Sequence, residues 1–122
     1  MGNPNVILDK TKQFAIRIIK LYQYLKTEKQ EYVLSNQILR SGTSIGANTR
    51  EGISAINEKE FILKLNIALK EAKETEYWLE LLHETDYISS EPFNSISSDC
   101  SEIIAILTSI IKTMNVKLHS KF

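Results

Sequence analysis

Ser41-Gly42-Thr43-Ser44-Ile45-Gly46-Ala47-Asn48 is the stretch on which the fold turns. Alone, its two glycines and three hydroxyl residues read as a loop. The flanking residues argue otherwise. Leu34, Ile38, Gly42, Ile45, Thr49, Ile53 and Ile56 step by 4, 4, 3, 4, 4 and 3, so the apolar phase before the glycines continues after them. A loop has no reason to keep that phase. The stretch is therefore expected inside a helix over about residues 30–55. A glycine in a helix interior costs about 1 kcal/mol relative to alanine, so packing must return the difference. Gly42 and Gly46 stand four apart, hence on one face, where the missing Cβ lets a neighbouring backbone come close. The competing reading is a phosphate-cradling loop. It needs a preceding strand and Gly-Lys-Ser/Thr or Gly-x-Gly-x-x-Gly order, and neither is present.

Outward from this segment the period stays helical. Residues of about 9–27 carry Phe14, Ile18, Leu21 and Leu25, spaced 4-3-4. Residues of about 58–85 run Phe61, Leu65, Ala68, Ala72, Thr75, Leu79 and Leu82, and those of about 91–115 run Ile96, Cys100, Ile103, Leu107, Ile110 and Met114. Such 4-3 stripes suit left-handed, near-antiparallel helix packing. Asn57 followed by Glu60 reads as a capping box for the third helix. Ser90 ahead of Pro92 marks the start of the fourth. Sustained two-residue alternation and Asn-Gly or Asp-Gly hairpin signals are absent. Short gaps make successive helices antiparallel neighbours. The expected fold is all-α: an up-down-up-down four-helix bundle in which residues 1–122 form a single domain.

Composition narrows the chemistry. Of 122 residues 43% are apolar and the net charge is zero, which separates the chain from disordered sequences. One cysteine cannot build a disulfide framework, and no Cys/His spacing suits zinc. The run Ile103–Ile111 has nine residues where a membrane span needs about 20. The Met-Gly-Asn-Pro-Asn start lacks a basic-then-apolar leader, so a cytoplasmic location with no membrane partner is expected. Glu80-Leu-Leu-His83 matches the Glu-x-x-His half of a di-metal bundle site, but the other histidine, His119, has Val116 three residues before it. Cys100 sits in the core stripe, where a cysteine is a small apolar group rather than a nucleophile. No metal, no cofactor and no catalytic residues are expected, and the chain reads as non-enzymatic.

Charge and surplus apolar residues point to surfaces instead. Residues 1–29 carry six basic and two acidic groups, whereas residues 58–86 carry four basic and eight acidic. The basic set (Lys10, Lys12, Arg17, Lys20 and Lys26) is a candidate phosphate-facing surface for RNA, since nucleic-acid affinity accumulates from phosphate contacts. The alternative is solvated faces, with helix one of one subunit paired to helix three of another. Off the core stripes stand Ile16, Ile19, Tyr22 and Tyr24, then Ile67, Tyr77, Trp78 and Leu81, then Ile104, Ile106 and Ile111. A helix apolar on two faces is usually packed on two sides. Tyr77, Trp78 and Leu81, with the aromatic character favoured in interfaces, are the expected subunit contact.

Two longer stretches carry a family resemblance. They are Leu39-Arg-Ser-Gly-Thr-Ser-Ile-Gly-Ala-Asn-Thr-Arg-Glu-Gly52 and Glu60-Phe-Ile-Leu-Lys-Leu-Asn-Ile-Ala-Leu-Lys-Glu-Ala-Lys-Glu-Thr-Glu-Tyr-Trp-Leu-Glu-Leu-Leu82. In this order and spacing they resemble the four-helix-bundle proteins encoded in intervening sequences of bacterial 23S rRNA genes, also described as ribosomal-protein-like. The likeness spans about residues 9–114. It implies a homo-oligomer, typically a five-fold ring. A related branch, the accessory protein of diversity-generating retroelements, acts with a reverse transcriptase and RNA. No catalytic residues carry over. The chain departs from the pattern at Thr49, where a larger aliphatic residue is expected, and in its zero net charge, where the retroelement relatives are strongly basic. Ser41, Ser44, Asn48 and Glu51 read as structural, with Asn48 and Glu51 expected to bond a neighbouring helix. Two functions follow. One is a homo-oligomeric scaffold, a pentamer, associated with RNA or an RNA–protein complex. The other is a protein-interaction module without nucleic-acid contact.

Overall fold

Proline at the first helical position loses no hydrogen bond, and Pro4 opens α1 (Pro4–Thr27). The computed structural model describes residues 4–119, so the first three residues of the Met-Gly-Asn-Pro-Asn start lie outside it. Three further helices follow, α2 (Leu34–Ile53), α3 (Glu58–Glu84) and α4 (Ser90–His119), and no strand occurs among the described residues. α1 begins five residues earlier than its stripe announces. Ile7 and Thr11 are buried and continue the stripe backwards, but the polar Thr11 disguises it. Its hydroxyl is satisfied by donating to the Ile7 carbonyl at 2.8 Å.

The start of α2 differs in the other direction. It falls at Leu34 because the buried Glu31 carboxylate accepts from the backbone N–H groups of Val33, Leu34 and Ser35 at 3.2, 3.0 and 2.7 Å. These are orphan donors of a helix N-terminus, and an anion there also suits the helix dipole. Gln30, in the left-handed region at φ 53°, turns the chain into position. At the other end α2 stops at Ile53, so Ile56 lies in the connection and is 89% exposed rather than part of the stripe. Asn57 caps α3, its side chain accepting from Glu60 N at 2.8 Å. α3 ends one residue short of expectation, in a 6→1 and 5→2 pair of bonds, Tyr87 N to Leu82 O and Asp86 N to His83 O. That is a Schellman ending with Asp86, at φ 68°, in the place usually held by glycine. α4 runs one residue earlier and four later than expected, and the buried Met114 anchors its last turns.

Contacts establish the direction of each helix. Gly42 faces Ile18 and Gly46 faces Thr11 across α1–α2. Ser41 pairs with Thr75, and Glu51 with Lys64, across α2–α3. Ala72 meets Cys100, and Glu58 meets Lys117, across α3–α4. Lys10 reaches Glu102, and Arg17 reaches Asp99, across α1–α4. In every pair numbers rise on one helix as they fall on the other, so all four seams are antiparallel. The diagonals α1–α3 and α2–α4 make no close backbone approach, and the α1–α4 seam is the thinnest. The bundle is up-down-up-down, around a core of residues such as Phe14, Ile18, Ile45, Leu79 and Leu107. One stripe assignment shifts. Ile111, on the α3 side of α4, is buried, whereas Ile110, toward the thin α1 seam, is only half-buried.

Candidate interaction surfaces

The glycine stretch is helical throughout and serves two seams. A Cβ built on Gly42 would lie 2.8 Å from both γ carbons of Ile18, and one on Gly46 would lie 3.3 Å from Thr11 Oγ1. Gly52, which the stripe alone does not single out, meets α3: its Cβ would lie 2.6 Å from Leu65 Cδ1. The polar residues of the stretch are spent within the fold. Thr75 Oγ1 donates to Ser41 Oγ at 2.8 Å in a buried bond between α2 and α3. Thr49, buried, donates to Ile45 O at 2.8 Å, which lets a hydroxyl stand at a core position. Ser44 donates to Arg40 O, and Glu51 accepts from Lys64 of α3 at 2.9 Å. Asn48, expected to reach a neighbouring helix, instead donates to Ser44 O one turn back on its own.

On α3 an aromatic patch faces outward. Tyr77 is 53% exposed and its ring lies 5.3 Å from that of Trp78. Trp78 is half-buried against the core, and its Nε1 donates to Glu74 at 3.1 Å. Glu74 also receives Arg40, which spans to Glu71 at 3.0 Å. Leu81 is half-buried beside them. Leu63, which lies off every stripe, adds a further exposed apolar side chain. On α1 the exposed apolar residues are Val6, Ile16, Ile19 and Tyr24. The surplus on α4 dissolves. Ile111 belongs to the core, and Ile104 and Ile106 pack partly buried against it.

The basic set of α1 divides. Lys10 pairs with Glu102 at 2.7 Å, and that hydrogen bond with the attendant charge attraction raises its pKa. Arg17 reaches Asp99 at 2.6 Å and Ser95 at 3.1 Å. Lys26 donates to Tyr22 Oη at 3.0 Å, which raises its pKa likewise, and lies over the Tyr22 ring. Lys12 and Lys20 stay exposed on the outer side. Lys12 shares a groove of about 240 Å³ between α1 and α2 with Arg50, over a floor that includes Ala15, Thr43, Gly46 and Ala47. No carboxylate lines it. The sequence alone does not single out Arg50, because its place beside Lys12 depends on the α1–α2 crossing at the glycines.

Cys100 and His83 carry side chains that could act chemically. Burial pushes the Cys100 thiol up to about 12, and its Sγ donates to Ala72 O at 3.4 Å, so it stays protonated near neutral pH. His83 stacks on Phe93 at 4.1 Å and meets Ser90 Oγ at 3.2 Å. No cluster of three or more metal-ligating side chains occurs among the described residues. A depression of about 650 Å³ between α3 and the end of α4 is lined by Leu69, Ile111 and Val116 together with polar residues that include Lys112 and His119. No described helix is long and apolar enough to cross a membrane.

Fold and surface together define a four-helix bundle with apolar and charged outer faces. The chain belongs to the 23S rRNA-intervening sequence protein family, whose model matches residues 4–109. It is similar to a crystal structure from Bacteroides thetaiotaomicron of a protein with unknown function from the S23 ribosomal protein family. The two share 59% sequence identity over 89% of this chain and 97% of the other, with a TM-score of 0.88. No protein of curated function matches the chain. Neither likeness indicates an enzyme family.

Proposed function

We propose that the protein is a non-enzymatic, cytoplasmic, self-assembling scaffold, a homo-oligomer whose subunits meet through the outer face of α3. One observation carries this reading. A core already closed by fully buried side chains leaves Tyr77, Leu63, Ile16 and Ile19 on the outside. Burying such groups stabilises an assembly, at roughly 25 cal/mol per Å² of apolar surface removed from water. A ring of five is the assembly that the sequence resemblance implies. Light scattering on Tyr77→Glu tests the contact, because a charge forced into a dry interface is costly. A fall in mass relative to wild type is expected, and an unchanged mass overturns the reading.

A second reading, RNA contact, is supported by the groove of Lys12 and Arg50, where two cations meet no carboxylate. Lys10 and Arg17, bound to α4, no longer support it. Binding of labelled ribosomal RNA fragments across a salt series tests it. Phosphate contacts release counterions, so affinity must fall as salt rises. No binding at low salt removes this reading.

A further inference from the structure

Residues 10–27 carry five lysines and arginines and no carboxylate, whereas residues 74–86 carry five carboxylates and no lysine or arginine. Within one bundle these segments lie on α1 and α3, a diagonal pair that makes no close approach. Their opposite charges are not neutralised there. On α1 the cations turned toward α4 are already engaged, leaving Lys12 and Lys20 exposed. Positions 12, 16, 19 and 20 fall on one helical face, so these two lysines flank the exposed Ile16 and Ile19. On α3, Glu74 is occupied by Arg40 and Trp78, but Glu80 and Glu84 are exposed one turn apart. Positions 77, 80, 81 and 84 again share a face, so this acidic pair flanks Tyr77 and Leu81. Each face has an apolar centre, flanked by basic groups over residues 12–20 and by acidic groups over residues 77–84, with the exposed Lys73 one turn before Tyr77 bounding the acidic stretch.

We propose that the outer face of α1 in one copy of the chain docks on the outer face of the C-terminal half of α3 in the next. This rests on the self-assembly reading and names its surfaces. The two faces lie on diagonal helices and look to opposite sides of the bundle, so one partner copy cannot engage both at once and the contact is heterologous. Repeating it generates a closed ring or an open filament, never an isologous two-fold dimer. Like charges at one interface discriminate against wrong pairings, here α1 on α1 or α3 on α3.

Charge reversal with rescue tests it. Lys12→Glu with Lys20→Glu, and separately Glu80→Lys with Glu84→Lys, should each drop the mass measured by light scattering to the 14.0 kDa of one chain. The chain carrying all four substitutions should regain the wild-type mass, and so demonstrate pairing rather than damage. Lys112→Glu, on another face, should change nothing. Circular dichroism must show unchanged helicity in all of them, as expected for exposed positions. Paired reversals that leave the mass unaltered, or a fourfold variant that stays small, overturn the inference while leaving self-assembly standing. A wild-type chain that is itself monomeric overturns both. Loss of RNA binding with unchanged mass overturns the docking and gives the α1 face to RNA.

Discussion

Adding one carbon at Gly42 should cost more stability than adding it at Gly46, four residues away on the same helix. The Cβ of Gly42→Ala would sit 2.8 Å from Ile18 Cγ1 and Cγ2 and 3.2 Å from Ile18 Cβ. Carbon atoms prefer about 3.5–4.0 Å. Ile18 is fully buried and β-branched, so turning one γ carbon away brings the other in. The α1–α2 seam must then open, at about 1–3 kcal/mol. Alanine returns about 1 kcal/mol of helix propensity, which leaves a net loss of about 0–2 kcal/mol. At Gly46 the new atom would lie 3.3 Å from Thr11 Oγ1 and 3.4 Å from Thr11 O, a tight contact that Thr11 relieves by giving a few tenths of an ångström, so much of the propensity gain survives. Gly46→Ala should therefore exceed Gly42→Ala in stability by roughly 1–3 kcal/mol. Urea unfolding followed by far-ultraviolet circular dichroism measures both, at one protein concentration because assembly contributes to apparent stability. A double-mutant cycle with Ile18→Ala isolates the cause. Removing both γ carbons should make Gly42→Ala at least about 1 kcal/mol less costly than in the wild type. Equal stability of the two alanine variants, or strict additivity in the cycle, would refute the close crossing.

Burial holds the Cys100 thiol at about 12, above its unfolded value of roughly 8.5. The folded state therefore holds the proton more tightly, so this contribution is complete below about pH 8.5 and is lost as pH rises toward 12. Cys100→Ala should flatten the alkaline fall in stability, and Cys100 should react with a thiol reagent only when the protein opens; fast labelling of the folded protein would contradict both. Glu31→Ala leaves three backbone N–H groups at the start of α2 without their acceptor, and should cost about 1–2 kcal/mol in denaturant titration. No measurable loss would mean that water replaces the cap. Asp86→Gly relieves a left-handed residue and should gain about 1 kcal/mol, read as a higher melting temperature.

Much of this architecture is legible in the residues because the helical phase survives interruption. The spacing of Leu34, Ile38, Ile45 and Ile53 carries α2 through its glycines, and the glycines lie against α1. Where a polar residue occupies a core position, the pattern goes quiet. Thr11 hides the first turns of α1, since a hydroxyl bonded to its own backbone looks like a surface residue. Ile110 and Ile111 are equally apolar, and only the unequal seams of α4 decide which one is buried. Surface assignments are harder still. Lys10 and Arg17 look as free as Lys12 until α4 brings Glu102 and Asp99 alongside. Arg50 joins Lys12 only through the α1–α2 crossing. A charge summed along one helix does not register the helix beside it.

Self-association stands at the centre of the account, and the mass of the wild-type protein in solution tests it most directly. Sedimentation equilibrium should give one species near five times 14.0 kDa, with Trp78 fluorescence characteristic of a water-shielded indole. A 14.0 kDa monomer with a water-exposed Trp78 would contradict the account.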